Sequence, residues 1–537
     1  MMKLASQLYG VFLAIVLLAT ASAVVLAKDA PKRDEKAETA DKITGMYVHQ
    51  HWSYNHPYAA RTWTLEDWEG YLDGLHKLGF NAVLYWPVME TIPDPPTPSD
   101  IESLERFAKV IDIARKKYGM KVFITMSPNV VPKNDVARRY TWEKRPFFAC
   151  DDRINPRDVT AVAKIVDQRK KLITYLKEVD GIMLIDSDPG GWPGSTNIDF
   201  VGLLGNYRTM FDEIRPGIEL YYWSHAGWEA YSRYYATAQF EFGKPEEFSE
   251  MYKFLNRQKL EPWGIATGHL LGEPAKLGLE SRVLSFRYGA VESEPSFPLT
   301  NFGSDQAWEA ANEPAPRGVM GNAQSHCMQI PYTFAFARGN DNLPIEKEDY
   351  VELAERLITG QGETIYAAWN ALGGTDPQAM RAAAESLASI DKASLQPGPL
   401  RGLLFGEPGR FINDLVLQLH ALADLEDFRA AALADPQEHE KVTTTFAAFI
   451  DSVSKWQECH GYSGAWSWPR LDEALLRIDS NGRFAKMIEL RTTYRADGET
   501  PFDRVKNGYL KVETFTPDLI EAMRKRLAEM QSNKATG

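Results

Sequence analysis

Between residues 45 and 340 the chain alternates short apolar runs with longer segments of helical spacing. Runs at 46–51, 82–88, 121–126, the apolar start of the stretch 181–194, 219–223, 263–267, 282–288 and, more weakly, 318–320 are rich in Val, Ile, Tyr and Trp and read as strands. Segments at 65–78, 101–118, 159–177, 200–214, 246–256 and 305–311 repeat apolar residues at three- and four-residue intervals and read as helices. Thr64 opens the first of these, with acids in its first turn. Eight strand and helix alternations predict a (β/α)8 TIM barrel over 45–340. An open doubly wound sheet is the alternative, but no glycine-rich phosphate fingerprint follows the first strand. After Asn340 the pattern changes. Residues 347–371, 377–388, 411–434 and 438–459 have helical spacing without strand alternation, so a C-terminal α-helical domain is expected over 341–537. Within it, Tyr462, Trp466 and Trp468 fall in a turn-rich stretch that reads either as core or as the rim of a groove.

The N-terminus has a different character. Lys3 precedes an apolar run over 11–20, and Ala21-Ser22-Ala23 has the small residues of a cleavage site, so residues 1–27 read as a signal peptide. The same run read as a retained membrane anchor is the alternative. Residues 28–44 are charged, alanine-rich and poor in large apolar side chains, as in a flexible linker. The expectation is a secreted or periplasmic protein without stable membrane insertion after cleavage. A net charge of −13 argues against a nucleic-acid partner. Three cysteines, Cys150, Cys327 and Cys459, form neither a disulfide framework nor a CxxC metal knuckle, and burial as small hydrophobes is expected.

The sharpest chemical signal is GIMLIDSDPGGWPG at 181–194. Side chains alternate on a strand, so Ile182, Leu184 and Asp186 share a face, with Asp188 next in line. That spacing predicts a pair of carboxylates emerging at the C-terminal rim, where barrels of this type do their chemistry. Two acids with different environments supply what glycoside hydrolysis needs: a proton for the leaving oxygen and negative charge beside an oxocarbenium-like centre. The plainer alternative makes Asp188 a turn or cap residue and Asp186 a salt-bridge partner.

The stretch NPRDVTAVAKIVDQRKKLITYLKEVDGIMLIDSDPGGWPG at 155–194 resembles the fourth-strand region of sugar hydrolases of the β-N-acetylhexosaminidase, hyaluronidase-like and α-glucuronidase kind. In the first two an adjacent acidic pair ends that strand; one acid orients the substrate acetamido group and the other protonates the leaving oxygen. In α-glucuronidases a Ser-Glu precedes a Pro-Gly loop, to which Ser187-Asp188-Pro189-Gly190 is similar. Here Ser187 separates the two acids. The resemblance implies catalytic roles for Asp186 and Asp188, with Asp188 the general acid. GNAQSHCMQIPYTFAFARG at 321–339 resembles the last-strand segment of the same class, where polar residues contact sugar; Asn322 and His326 lie in it.

Other rim candidates follow from position. Of ten histidines, His49, His51, His225, His269 and His326 fall at or near predicted strand ends. His49-x-His51 places two rings on one face, which suits either hydroxyl recognition in a sugar pocket or a divalent metal with Asp186 or Asp188 as oxygen ligand. Trp52, Trp86, Trp192, Trp223 and Trp228 are placed to pack against the C–H face of a pyranose, whereas Trp63, Trp68 and Trp308 read as seals between barrel and helices. Glu292 and Glu294 after the seventh strand, Glu229, Glu241 and Glu90 are candidate second carboxylates, each also readable as solvated charge. The reading is an exported glycoside hydrolase acting on a carbohydrate substrate without a cofactor. A metal-dependent barrel hydrolase and a non-catalytic glycan-binding barrel are the alternatives.

Overall fold

Eight strands close into a barrel: β1 (Ile43–Val48), β2 (Ala82–Tyr85), β3 (Lys121–Met126), β6 (Gly181–Ile185), β7 (Glu219–Ser224), β8 (Trp263–Thr267), β9 (Val283–Arg287) and β10 (Gly318–Ala323). Every neighbouring pair is parallel, in the order β1-β10-β9-β8-β7-β6-β3-β2. This computed structural model describes residues 42–50, 55–187, 189–237, 241–268, 270–287, 291, 306–312, 315–323, 328–461, 468–490 and 515–534. The expected signal peptide, and the linker as far as residue 41, lie outside them. The linker expectation overran at its end, because residues 43 and 44 already pair with β10. Among the described residues no helix is long and apolar enough to cross a membrane.

The returns between strands are helices α1 (Leu65–Lys77), α2 (Pro98–Tyr118), α3 (Val159–Tyr175), α4 (Asn197–Ile214), α5 (Trp228–Thr237), α6 (Pro245–Arg257), α7 (Gln306–Ala311) and α8 (Ile330–Asn340). Local chemistry sets their ends. Thr64 and Thr97 each close a capping box, with Asp67 and Asp100, a device that stabilises a helix start by about 1 kcal/mol. Gly119 ends α2 in the left-handed region at φ 65°. The long loop after β3 contains what the apolar pattern did not announce, an antiparallel hairpin of β4 (Val130–Pro132) and β5 (Asp151–Arg153). Its strands are three residues each, too short for alternation to register.

The faces of the strands are identified by what their side chains touch. Tyr221 meets Phe123 across the barrel at 5.6 Å and lies under the Arg317 guanidinium, which pairs with Glu219, so 219, 221 and 223 on β7 point to the axis. Tyr222 instead packs on Phe200 of α4 and Tyr252 of α6, so 220, 222 and 224 face the helices. Parallel register carries this assignment to β6: Met183 pairs with Tyr221 and Leu184 with Tyr222.

The C-terminal part supplies α9 (Lys347–Leu357), α10 (Gly362–Leu372), α11 (Pro377–Ala388), α12 (Pro408–Leu433), α13 (His439–His460), α14 (Pro469–Arg477), α15 (Arg483–Leu490) and α16 (Phe515–Lys534). The helix expected over 347–371 is two, broken where Gly360 takes φ 81°. Residues 43–537 form one compact unit. Gly402 sits so tightly on α1 that a Cβ there would lie 2.0 Å from the Gly70 carbonyl oxygen. Asn55, after β1, donates through Nδ2 to the carbonyls of Glu458 and Cys459 at the end of α13, at 2.9 and 3.1 Å. The helical part is thus joined to the barrel rather than set beside it.

Candidate functional site

Four aromatic rings fill the inner layer of the barrel at its C-terminal end. Trp223 meets Phe286 at 4.3 Å, Tyr47 at 5.7 Å and Trp86 at 6.0 Å between ring centroids. His49 stands edge-on to Tyr47 at 5.5 Å, and Asn322 pairs in register with Tyr47. Tyr47, His49, Trp86, Trp223 and Asn322 are all buried. Packing of this kind makes a rigid floor, with Asn322 and the His49 ring as its polar atoms. The Trp86 indole N–H donates to both carboxylate oxygens of Glu90, each at 3.1 Å. Glu90, itself fully buried, also accepts from the Ser127 backbone N–H, so its charge is committed to joining β2 to β3. Burial pushes its pKa up, against the opposing influence of Arg169 and these hydrogen bonds.

Asp186 departs from the expectation for it. It shares a face with Ile182 and Leu184 as its spacing predicts, but that face looks to the helices. It is 0 % exposed. Its Oδ2 accepts from the Tyr222 hydroxyl at 2.7 Å, and its Oδ1 accepts from Ser187 Oγ at 2.7 Å and the His225 backbone N–H at 3.2 Å. Burial raises the Asp186 pKa, opposed by the bonds from Ser187 and Tyr222 and by the nearby His225. A carboxylate held this way orients its neighbours and does not reach into the mouth. Ser187 follows in the turn past the end of β6 and is itself buried. Its Oγ accepts from the Ala226 N–H at 2.9 Å and lies 3.2 Å from Nδ1 of the half-buried His225.

Past this point the chain turns back on itself. A Cβ on Gly190 would lie 2.5 Å from the Asp186 carbonyl oxygen, and Gly191 takes φ 71°. Half-buried Trp192 is tied through its backbone N–H to Ser232 Oγ at 3.1 Å. Trp228, expected among the pocket aromatics, is buried in α5 and donates to Ser195 Oγ at 2.9 Å, which makes it scaffold. Glu229 accepts from the Asn197 N–H at 2.9 Å and caps α4, and Glu241 is exposed. Trp68 closes β2 from outside, 5.1 Å from Tyr85, in the sealing role expected of it.

The structure therefore gathers Tyr47, His49, Trp86, Trp223 and Asn322 at one end of the barrel, with Ser187 and His225 at the end of the adjoining β6 and β7. His51, Trp52, Asp188, His269, Glu292, Glu294 and His326 lie outside the described residues. Among the described residues no group of three or more His, Cys, Asp and Glu side chains is arranged to hold a metal ion. Cys150 is buried and Cys459 half-buried, and neither forms a disulfide among the described residues; Cys327 lies outside the described residues. Sequence reasoning missed Ser187 and Tyr222. Ser187 was visible inside the motif. Tyr222 had no signal until the register of β6 on β7 was known.

No protein-family model matches the chain, and no curated protein matches it. Among solved structures it is similar to a GH138 enzyme targeting pectin rhamnogalacturonan II, with TM-score 0.43 and 10 % identity over 84 % of this chain and 67 % of the other. It is also similar to a mutant of the Thermobaculum terrenum O-GlcNAc hydrolase, with TM-score 0.41 and 11 % identity over 84 % and 96 % of the two chains. A third similarity is to a GH20 catalytic module of a pneumococcal exo-β-D-N-acetylglucosaminidase, with TM-score 0.35 and 11 % identity over 71 % and 97 %.

Proposed function

We propose that this chain is an exported glycoside hydrolase that cleaves poly- or oligosaccharides, with Asp188 as general acid and Asp186 as the carboxylate that positions its surroundings. The observation that carries the reading is the acidic end of the fourth barrel strand. Asp186 is held by three donors there, and the next acid in the sequence, one residue past Ser187, is the one we assign to serve the substrate. The aromatic floor of Tyr47, Trp86, Trp223 and Phe286 supports a sugar ring, and Asn322, His49 and His225 supply polar partners for hydroxyls. In the reaction the acid delivers its proton to the glycosidic oxygen as the bond to the anomeric carbon breaks. Water supplies the hydroxyl that ends on that carbon, and its remaining proton restores the carboxyl pair. Export rests on the N-terminal sequence alone: a basic residue, an apolar run and a small-residue cleavage site.

Asp188→Asn tests the acid. With a poor leaving group such as phenol, which needs protonation, the variant is expected to lose about 10²- to 10⁴-fold in kcat/KM, and far less with 4-nitrophenol. Equal loss on both aglycones removes the general-acid role.

A further inference from the structure

The β4–β5 hairpin reaches the turn that follows Asp186, and it does so through side chains. Asn129, buried between β3 and β4, donates through Nδ2 to the Gly191 carbonyl at 2.9 Å and to the Ile154 carbonyl at 3.3 Å. Arg153, the last residue of β5 and only 5 % exposed, donates through Nε to the Gly190 carbonyl at 3.2 Å. Two consecutive peptide carbonyls that belong to neither sheet nor helix are thus taken by two side chains of one insertion. Farther along the turn, Arg157 Nη2 donates to the Gly194 carbonyl at 2.8 Å, but from an exposed position.

Glycine explains why such bonds matter here. Gly190 and Gly191 have no side chains with which to pack, and unrestrained glycines sample a wide range of backbone angles. Neither position admits a larger residue: a Cβ on Gly190 would strike the Asp186 carbonyl, and one on Gly191 would lie 2.9 Å from the Ser232 nitrogen. The turn therefore has to be glycine to follow its path, and it has to be held from outside to keep it. Ser232 holds one side through the Trp192 N–H. The hairpin holds the other.

We propose that Asn129 and Arg153 are positioning residues for the turn that carries Asp188, so that the β4–β5 insertion is part of the catalytic apparatus and not surface decoration. The proposal rests on Asp188 as general acid. An acid displaced by about 1 Å from its line to the leaving oxygen costs up to about 10²-fold in rate, which sets the size of the expected effect.

The experiment compares full-length Asn129→Ala, Arg153→Ala and Arg153→Lys with wild type in two measurements. Hydrogen exchange of the peptide spanning residues 186–194 reads the turn directly. Steady-state kinetics use the phenyl and 4-nitrophenyl glycosides of whichever sugar the wild type turns over. Both alanine variants are expected to speed exchange in that peptide and to lower kcat by about 10- to 10²-fold with little change in KM, more on the phenyl than on the 4-nitrophenyl glycoside. Arg153→Lys, which keeps a donor and the charge, is expected to recover most of both. Exchange unchanged from wild type overturns the proposal, as does faster exchange with kcat intact or a loss equal on both aglycones. If Asp188→Asn itself shows no leaving-group dependence, the function reading falls, while the exchange measurement still decides whether the hairpin holds the turn.

Discussion

Removing one oxygen atom tests the account of Asp186. Tyr222→Phe deletes the hydroxyl that donates to Asp186 Oδ2 at 2.7 Å and keeps the ring that packs on Phe200 and Tyr252 at 5.9 and 6.0 Å. Burial, with the adjacent Asp186 carboxylate, holds the Tyr222 pKa well above that of an ordinary phenol, so in wild type it is a donor throughout the accessible pH range. Asp186 is fully buried, so solvent does not screen the lost bond. A hydrogen bond to a charged group contributes about 1.5–3 kcal/mol, and its loss raises the Asp186 pKa further. The sign follows from which form the bond favours. A donor stabilises the ionised carboxylate, so its loss is felt in full above the raised pKa of the variant. It disappears once the pH is low enough to protonate Asp186 in both proteins. Urea unfolding followed by tryptophan fluorescence, repeated from acid to mildly alkaline pH, measures this. The expected result is a destabilisation of about 2 kcal/mol at neutral pH that shrinks toward zero in acid. A pH-independent loss, or one below about 0.5 kcal/mol at neutral pH, refutes the claim that this hydroxyl supports a buried charge.

Two further outcomes follow from the same reasoning. The folded pKa of Glu90 is raised, chiefly by burial, so its stabilising contribution is complete below the ordinary carboxylate range of about 4.3 and is lost as the pH rises through the folded value. Glu90→Gln should therefore flatten the stability profile across that window, and thermal melts with the wild-type slope would contradict this. Gly402→Ala places a Cβ 2.0 Å from the Gly70 carbonyl oxygen, a backbone contact that no rotamer relieves. We expect a loss of about 1–3 kcal/mol in stability, and an unchanged melting temperature would show that the joint between α1 and the helical part can yield.

Much of this architecture was written in local patterning. Apolar runs of strand length separated by helical spacing marked the eight barrel strands, and the Thr64 start of α1 and the ends of β3 and β8 fell where the pattern put them. The acidic tip at 181–194 was legible for the same reason: carboxylates beside glycines and prolines after an apolar run mark a strand end. What local patterning does not carry is handedness about the barrel axis. A period of two states that Ile182, Leu184 and Asp186 share a face, but both faces of this strand are apolar. Only pairing with β7 decides which of them looks inward. That decision turned Asp186 toward Tyr222 and the helices, and the packing around it brought Asn129 and Arg153 to a turn far from them in the chain. The sequence by itself determined the elements and the chemistry available at their ends. The closed sheet alone decided which side chain meets which, because that depends on contacts between strands and not on the order of residues within one.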